Sequence, residues 1–161
     1  MGEISASQSI DVAASPDQVI GVLADYVDAR PAILPEQYRD YQVISGGQGD
    51  GTVVHWILQA TSKRQRDVKA TVTVVPDTIT ERDENSSMVT TYKVAPAGSG
   101  SKVTTTTTWN SNASGIGGFF EKTFAPKGLA KIQAQLLANL KKRVEVIQQS
   151  SGDSGFRDLA R

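Results

Sequence analysis

The segment Gly115-Ile116-Gly117-Gly118-Phe119-Phe120-Glu121-Lys122-Thr123-Phe124-Ala125-Pro126-Lys127-Gly128-Leu129 opens one long amphipathic run that ends near Gln149. At ~100° per residue, Leu129, Ile132, Leu136, Leu137, Leu140, Val144 and Ile147 fall within an arc of roughly 140°. Lys131, Ala138, Lys141, Lys142 and Glu145 lie on the other side. Burying seven such side chains contributes upwards of ~10 kcal/mol, an upper bound because an unfolded chain is already partly compact. A stripe of that size docks on something. Nearly everything from Tyr38 to Trp109 reads as strand, so the nearest partner is the concave face of the chain's own sheet. A sheet that curves round one helix leaves a hollow, and a hollow suits a small apolar ligand.

Working back towards the N-terminus, Ile4, Ala6, Ile10 and Val12 alternate with serines and Asp11, the period of a half-buried strand. Ser15-Pro16-Asp17-Gln18 combines an N-cap, a first-turn proline and a capping-box glutamine, so a helix starts there. It stops before Pro31, and Ile33-Leu34-Pro35 allows a short second helical turn. Six further strands follow: Tyr38 to Ser45, Thr52 to Ala60, Arg64 to Val75, Thr78 to Asp83, Met88 to Val94 and Lys102 to Trp109. Gly46 to Gly51 reads as a hairpin connection, Pro76-Asp77 as a turn, and Pro96 to Gly100 as another turn. Thr104 to Thr108 is a β-branched strand rather than a linker. Residues 1–149 form one domain; 150–161, rich in serine and glycine, read as a flexible tail.

Composition narrows the function classes. The 161 residues suit one core. A formal net charge of zero offers no global basic field, so nucleic acid is not an expected partner. The absence of cysteine removes disulfides and thiolate metal sites and fits a cytoplasmic protein. No apolar run approaches the ~20 residues that stable membrane insertion by a helix requires. His55 is the only histidine, so no multi-histidine metal site is available and no metal or other cofactor is expected. Its strand parity sets it opposite Trp56, on the outer face.

Candidate ligand contacts come from inward parity. Trp56, Leu58, Val72, Tyr92, Thr105, Thr107 and Trp109 converge from the strands, and Ile132, Gln133 and Leu136 from the helical arc. Glu81 shares parity with Ile79, and a carboxylate among apolar neighbours needs a partner or a proton. Arg66 or Arg64, which continue the inner parity of Val68, is the expected partner. Phe119, Phe120 and Phe124 read either as a plug at the helix start or as a gate hinged at Gly117-Gly118. The basic residues Lys127, Lys131, Lys141, Lys142 and Arg143 read as a solvated helix face.

The order strand, helix, helical turn, six strands, long helix resembles the START-like (SRPBCC) superfamily. The resemblance is closest to small bacterial members of its polyketide cyclase/dehydrase and lipid-transport group. It rests on Ile33-Leu34-Pro35, the Gly46–Val54 stretch, Thr80-Glu81-Arg82-Asp83 and the Gly115–Leu129 segment, and covers about residues 4 to 148. It implies an α+β helix-grip fold: a curved antiparallel sheet of about seven strands wrapped around a long C-terminal helix, with two short helices between strands 1 and 2. It also implies a cavity for a small hydrophobic or aromatic molecule, lipid or polyketide-like, held by a carrier or sensor that is a monomer or weak homodimer. An aromatase/cyclase or dehydratase, with Glu81 moving a proton, and a protein-interaction module remain alternatives.

Overall fold

The computed structural model describes residues 3–61, 64–110 and 126–160. Seven strands form a single antiparallel sheet in the order β1-β7-β6-β5-β4-β3-β2. They are β1 (Glu3–Val12), β2 (Tyr38–Ser45), β3 (Val53–Thr61), β4 (Arg64–Val75), β5 (Thr78–Asp83), β6 (Val89–Ala97) and β7 (Gly100–Asn110). Two short helices, α1 (Pro16–Leu23) and α2 (Ala29–Ile33), carry the chain from one sheet edge to the other, and α3 (Pro126–Ala160) closes the fold. This is the helix-grip arrangement expected from the sequence. None of its described helices is long and apolar enough to cross a membrane.

Alternation works as the parity argument requires. Val54, Trp56 and Leu58 of β3, Val68, Ala70 and Val72 of β4, and Val103, Thr105, Thr107 and Trp109 of β7 are all buried. Leu129, Ile132, Leu136, Leu137, Leu140 and Val144 of α3 are buried against them. At α1 the capping box is complete: the Gln18 backbone N–H donates to Ser15 Oγ at 3.3 Å, and the Ser15 N–H donates to Gln18 Oε1 at 3.0 Å.

Four details differ from the sequence reading. The second helical turn is α2 itself, Ala29–Ile33, which ends where Ile33-Leu34-Pro35 begins and carries Pro31 in its first turn, where the missing N–H has no helical partner to lose. The β6–β7 hairpin is tighter than a loop from Pro96 to Gly100, because Ala97 pairs with Gly100 and Gly98 takes φ +59°. Helix α3 continues past Gln149 to Ala160, since extending a nucleated helix fixes only one residue per added hydrogen bond. The loop after β2 does more than turn a hairpin. Its carbonyl at Gly47 accepts the Tyr26 N–H at 2.9 Å, its Gly49 N–H donates to Ala24 O at 2.9 Å, and Gln48 bridges to Asp25. The glycine loop therefore clamps the corner between α1 and α2. Asp25 completes that corner by accepting the Val27, Asp28 and Ala29 N–H groups at 3.1–3.2 Å. Burial works to raise its pKa, but the Asp28 N–H, the Gln48 amide and the other backbone donors outweigh it and hold the carboxyl below the usual value.

Strand β7 starts where the backbone of β1 leaves the sheet. A Cβ on Gly100 would collide with the Val12 carbonyl and press on Ala13 Cα. Gly100→Ala is expected to cost about 1–3 kcal/mol, the usual penalty of forced overpacking. Equilibrium denaturation measures it, and an unchanged midpoint would contradict this close approach.

Candidate functional site

At the centre of the fold a charged pair is buried. Arg30, on the five-residue helix α2, is 2% exposed, and Glu81, in the middle of β5, is 4% exposed. Arg30 Nη2 meets Glu81 Oε2 at 2.6 Å, and the Tyr26 hydroxyl donates to the same oxygen at 2.5 Å. Arg30 Nη1 donates to the Leu23 carbonyl at 2.9 Å and to the Tyr26 hydroxyl oxygen at 3.1 Å. The guanidinium lies 5.0 Å from the Tyr26 ring centroid and 4.6 Å from that of Tyr92, so two aromatic faces sandwich the cation.

This corrects the expected partner of Glu81. Glu81 sits opposite Val72 on β4 and Thr90 on β6, whereas Arg66 is six residues further along β4, roughly 20 Å away. Arg66 is buried, but its Nη2 donates to the Asn85 carbonyl at 3.1 Å, at the turn before β6. The side chain of Arg64 lies outside the described residues. Register, rather than parity, decides which cation the carboxylate reaches.

Tyrosines surround the pair. Asp40 adopts φ +54°, and the β2–β3 register shifts between Arg39 and Gln42. The bulge turns both Tyr38 and Tyr41 towards Trp56, with ring centroids 5.5 Å and 6.4 Å away. The Tyr41 hydroxyl donates to the Tyr26 carbonyl at 2.5 Å. Burial pushes the phenols of Tyr26 and Tyr38 well up, and those of Tyr41 and Tyr92 up to about 12; the nearby Arg30 charge pulls the other way and loses. Burial would lower the Arg30 pKa, but the Glu81 carboxylate raises it well above its ordinary value, so the cation persists.

Against this cluster lies a narrow cavity between the sheet and α3. Tyr38, Trp56, Leu58, Glu81, Met88, Thr90, Tyr92, Thr105, Thr107, Leu129, Gln133 and Leu136 line it. Its volume is about 20 Å³, room for roughly one water. The hollow expected from the sequence is reduced to this size, because the apolar stripe of α3 packs down on the sheet. Gln133 pins it: its Nε2 donates to the Ala6 carbonyl at 3.0 Å and to Thr107 Oγ1 at 3.2 Å, and Thr107 in turn bonds Thr90 at 2.8 Å. Trp56 Nε1, Thr105 Oγ1 and Gln133 Oε1 are buried and have no hydrogen-bond partner.

Of the residues expected at the site, Trp56, Leu58, Glu81, Tyr92, Thr105, Thr107, Gln133 and Leu136 come together on this wall. Val72, Trp109 and Ile132 are buried in the core but not on it, and Phe119, Phe120 and Phe124 lie outside the described residues. Sequence reasoning missed Arg30, Tyr26 and Tyr38. Met88 and Thr90 share the parity of Tyr92, and Leu129 stands one turn before Gln133, so those three were within reach. His55 is on the outer face, 2.8 Å from Asp67. No cluster of metal-ligating side chains occurs among the described residues. Two larger clefts, of about 360 and 530 Å³, flank α3 on the outside. They share Asn139 and are lined by exposed residues such as Lys142 and Lys131.

With neutral phenols held up by burial, the stability they contribute is intact below the unfolded pKa near 10 and is lost as pH climbs through about 12. Phenolate absorbance of the native protein should therefore stay flat through pH 10 and rise only towards pH 12 or with unfolding. A normal titration centred near pH 10 in the folded state would contradict the enclosure of these rings.

The model of the family described as polyketide cyclase / dehydrase and lipid transport matches residues 3–145, and the chain belongs to that family. A solution structure of the KanY protein shares 54% identity over 90% of this chain and 99% of that chain, with a TM-score of 0.82. A START superfamily protein from Mycobacterium smegmatis has the same fold at 15% identity, with a TM-score of 0.65 and coverage of 91% and 99%. So does a point mutant of Thalictrum flavum norcoclaurine synthase in complex with a transition-state analogue, at 17% identity, TM-score 0.63 and coverage of 91% and 97%. No curated protein matches the chain.

Proposed function

We propose that this member of the polyketide cyclase/dehydrase and lipid transport family binds a small hydrophobic or aromatic molecule between its sheet and α3, as a carrier or sensor. The observation that carries this reading is the cavity wall itself. It is aromatic and aliphatic, dotted with a few convergent polar groups, the composition of a small-molecule pocket. Three of those groups, Trp56 Nε1, Thr105 Oγ1 and Gln133 Oε1, are left without partners. An unmade hydrogen bond on a buried group costs about 1–3 kcal/mol, a poor choice for a wall whose only task is packing.

A guest larger than one water needs more room than the closed cavity offers. Binding then selects a state in which Leu129 and Leu136 make room beside the Gln133 anchor, and the guest's contacts offset the lost packing. The binding unit is residues 1–149, with Phe119, Phe120 and Phe124 in the segment that leads into α3, and the residues after 149 lie outside it. A cytoplasmic monomer or weak homodimer suits such a carrier.

One observation favours a second reading. Glu81 lines the cavity with the Tyr26 hydroxyl 2.5 Å from its oxygen, a pair able to pass a proton to a polyketide-like guest. Glu81→Gln separates the two. In a carrier it leaves Arg30 uncompensated and lowers stability by about 3–5 kcal/mol, with no reaction to lose. In a cyclase or dehydratase it lowers turnover by roughly 10²–10⁴.

Native mass spectrometry of freshly purified protein tests the binding itself. The expected result is a co-purified small molecule in stoichiometric amount, released on denaturation. A bare chain whose tryptophan fluorescence ignores hydrophobic aromatic probes up to their solubility limit would contradict it.

A further inference from the structure

We infer that the cavity selects an uncharged guest that offers at least one hydrogen-bond acceptor and one donor, and that it discriminates against carboxylates of the same shape. This rests on the binding reading above and concerns the chemistry of the guest.

The polar atoms left over on the wall set the pattern. Trp56 is 5% exposed and its indole N–H can only donate; Gln133 is 6% exposed and its free amide oxygen can only accept. Thr105 Oγ1 is a third buried atom of a wall residue without a partner, and as a hydroxyl it can donate or accept. Neighbouring groups are partly committed. Thr107 receives the Gln133 amide and bonds Thr90, and Glu81 Oε2 takes both Tyr26 and Arg30.

The charge on the wall argues against an anion. Glu81 is the charged residue lining the cavity, and Arg30, which neutralises it, stands behind it rather than on the wall. Both Arg30 terminal nitrogens are engaged, by Glu81, Tyr26 and Leu23; its Nε is buried without a partner. A guest carboxylate would face the Glu81 carboxylate and have no cation unless it displaced Glu81. Burying an unpaired anion there is strongly unfavourable. The tyrosines report the same environment: even beside Arg30 the phenol of Tyr92 resists ionisation up to about 12. A guest amine fares no better, because the one carboxylate that could receive it is held by Arg30.

Three probes of matched ring system test this: naphthamide, naphthoate and methylnaphthalene, titrated at neutral pH into nitrogen-labelled protein and followed at the Trp56 indole cross-peak. Trp56→Phe assigns that peak against Trp109. Naphthamide should move the peak and bind at least roughly tenfold tighter than either other probe, one net hydrogen bond or one buried charge being worth that much. Gln133→Leu should reduce the amide's advantage over methylnaphthalene. Naphthoate binding as tightly as naphthamide, or methylnaphthalene matching it, would overturn the inference while leaving an apolar binding cavity in place. Failure of all three to bind would remove the binding reading and the inference with it.

Discussion

The buried pair of Arg30 and Glu81 is the constraint on which the rest of the structure turns. Ion pairs taken out of water are weak sources of stability, because desolvation cancels most of the attraction. What they do well is punish misplacement: either charge alone in this core would be far costlier than the pair. Arg30 arrives from a five-residue helix that has little stability of its own, and Glu81 from the middle strand of the sheet. Joining them fixes the corner between α1 and α2 against the concave face. Tyr26 and Tyr92 supply the aromatic faces that make the cation tolerable there.

Other features serve that placement. The glycines after β2 let the loop reach back and bond Ala24 and Tyr26, and the Asp25 carboxylate gathers the N–H groups that open α2. The bulge at Asp40 brings two rings to Trp56 where a regular strand would bring one. At the opposite side, Gln133 ties α3 to β1 and β7. The cavity is what remains between these two polar anchors, which explains both its aromatic wall and its narrowness.

Much of this was legible in the sequence, and for a definite reason. Strand alternation and helical periodicity are local, so Trp56, Leu58, Tyr92, Thr105, Thr107 and the α3 stripe could be assigned to the inner face before any coordinates. The capping box at Ser15 is local too. Glu81 could be recognised as buried by its parity with Ile79, but its partner depends on register. The Pro76-Asp77 turn pairs Val75 with Thr78 and hence Val72 with Glu81, which alone removes Arg66 as a candidate. Arg30 was out of reach, since a five-residue helix has no period to read and its contact with Glu81 spans half the sheet. The size of the hollow was also illegible: periodicity gives the faces that meet, whereas the gap between them depends on how far α3 settles onto β1 and β7.

The chain belongs to the polyketide cyclase / dehydrase and lipid transport family, and the proposed function turns on one claim, that a guest lies between α3 and the sheet beside the Arg30–Glu81 pair. Intermolecular nuclear Overhauser effects from a bound aromatic probe test it most directly, because the inner cavity and the outer cleft present different methyl groups. The account predicts contacts from the probe to Leu58, Met88 and Leu136, which line the inner cavity. Contacts instead to Ala32 and Val146, on the outer cleft of α3, would contradict it.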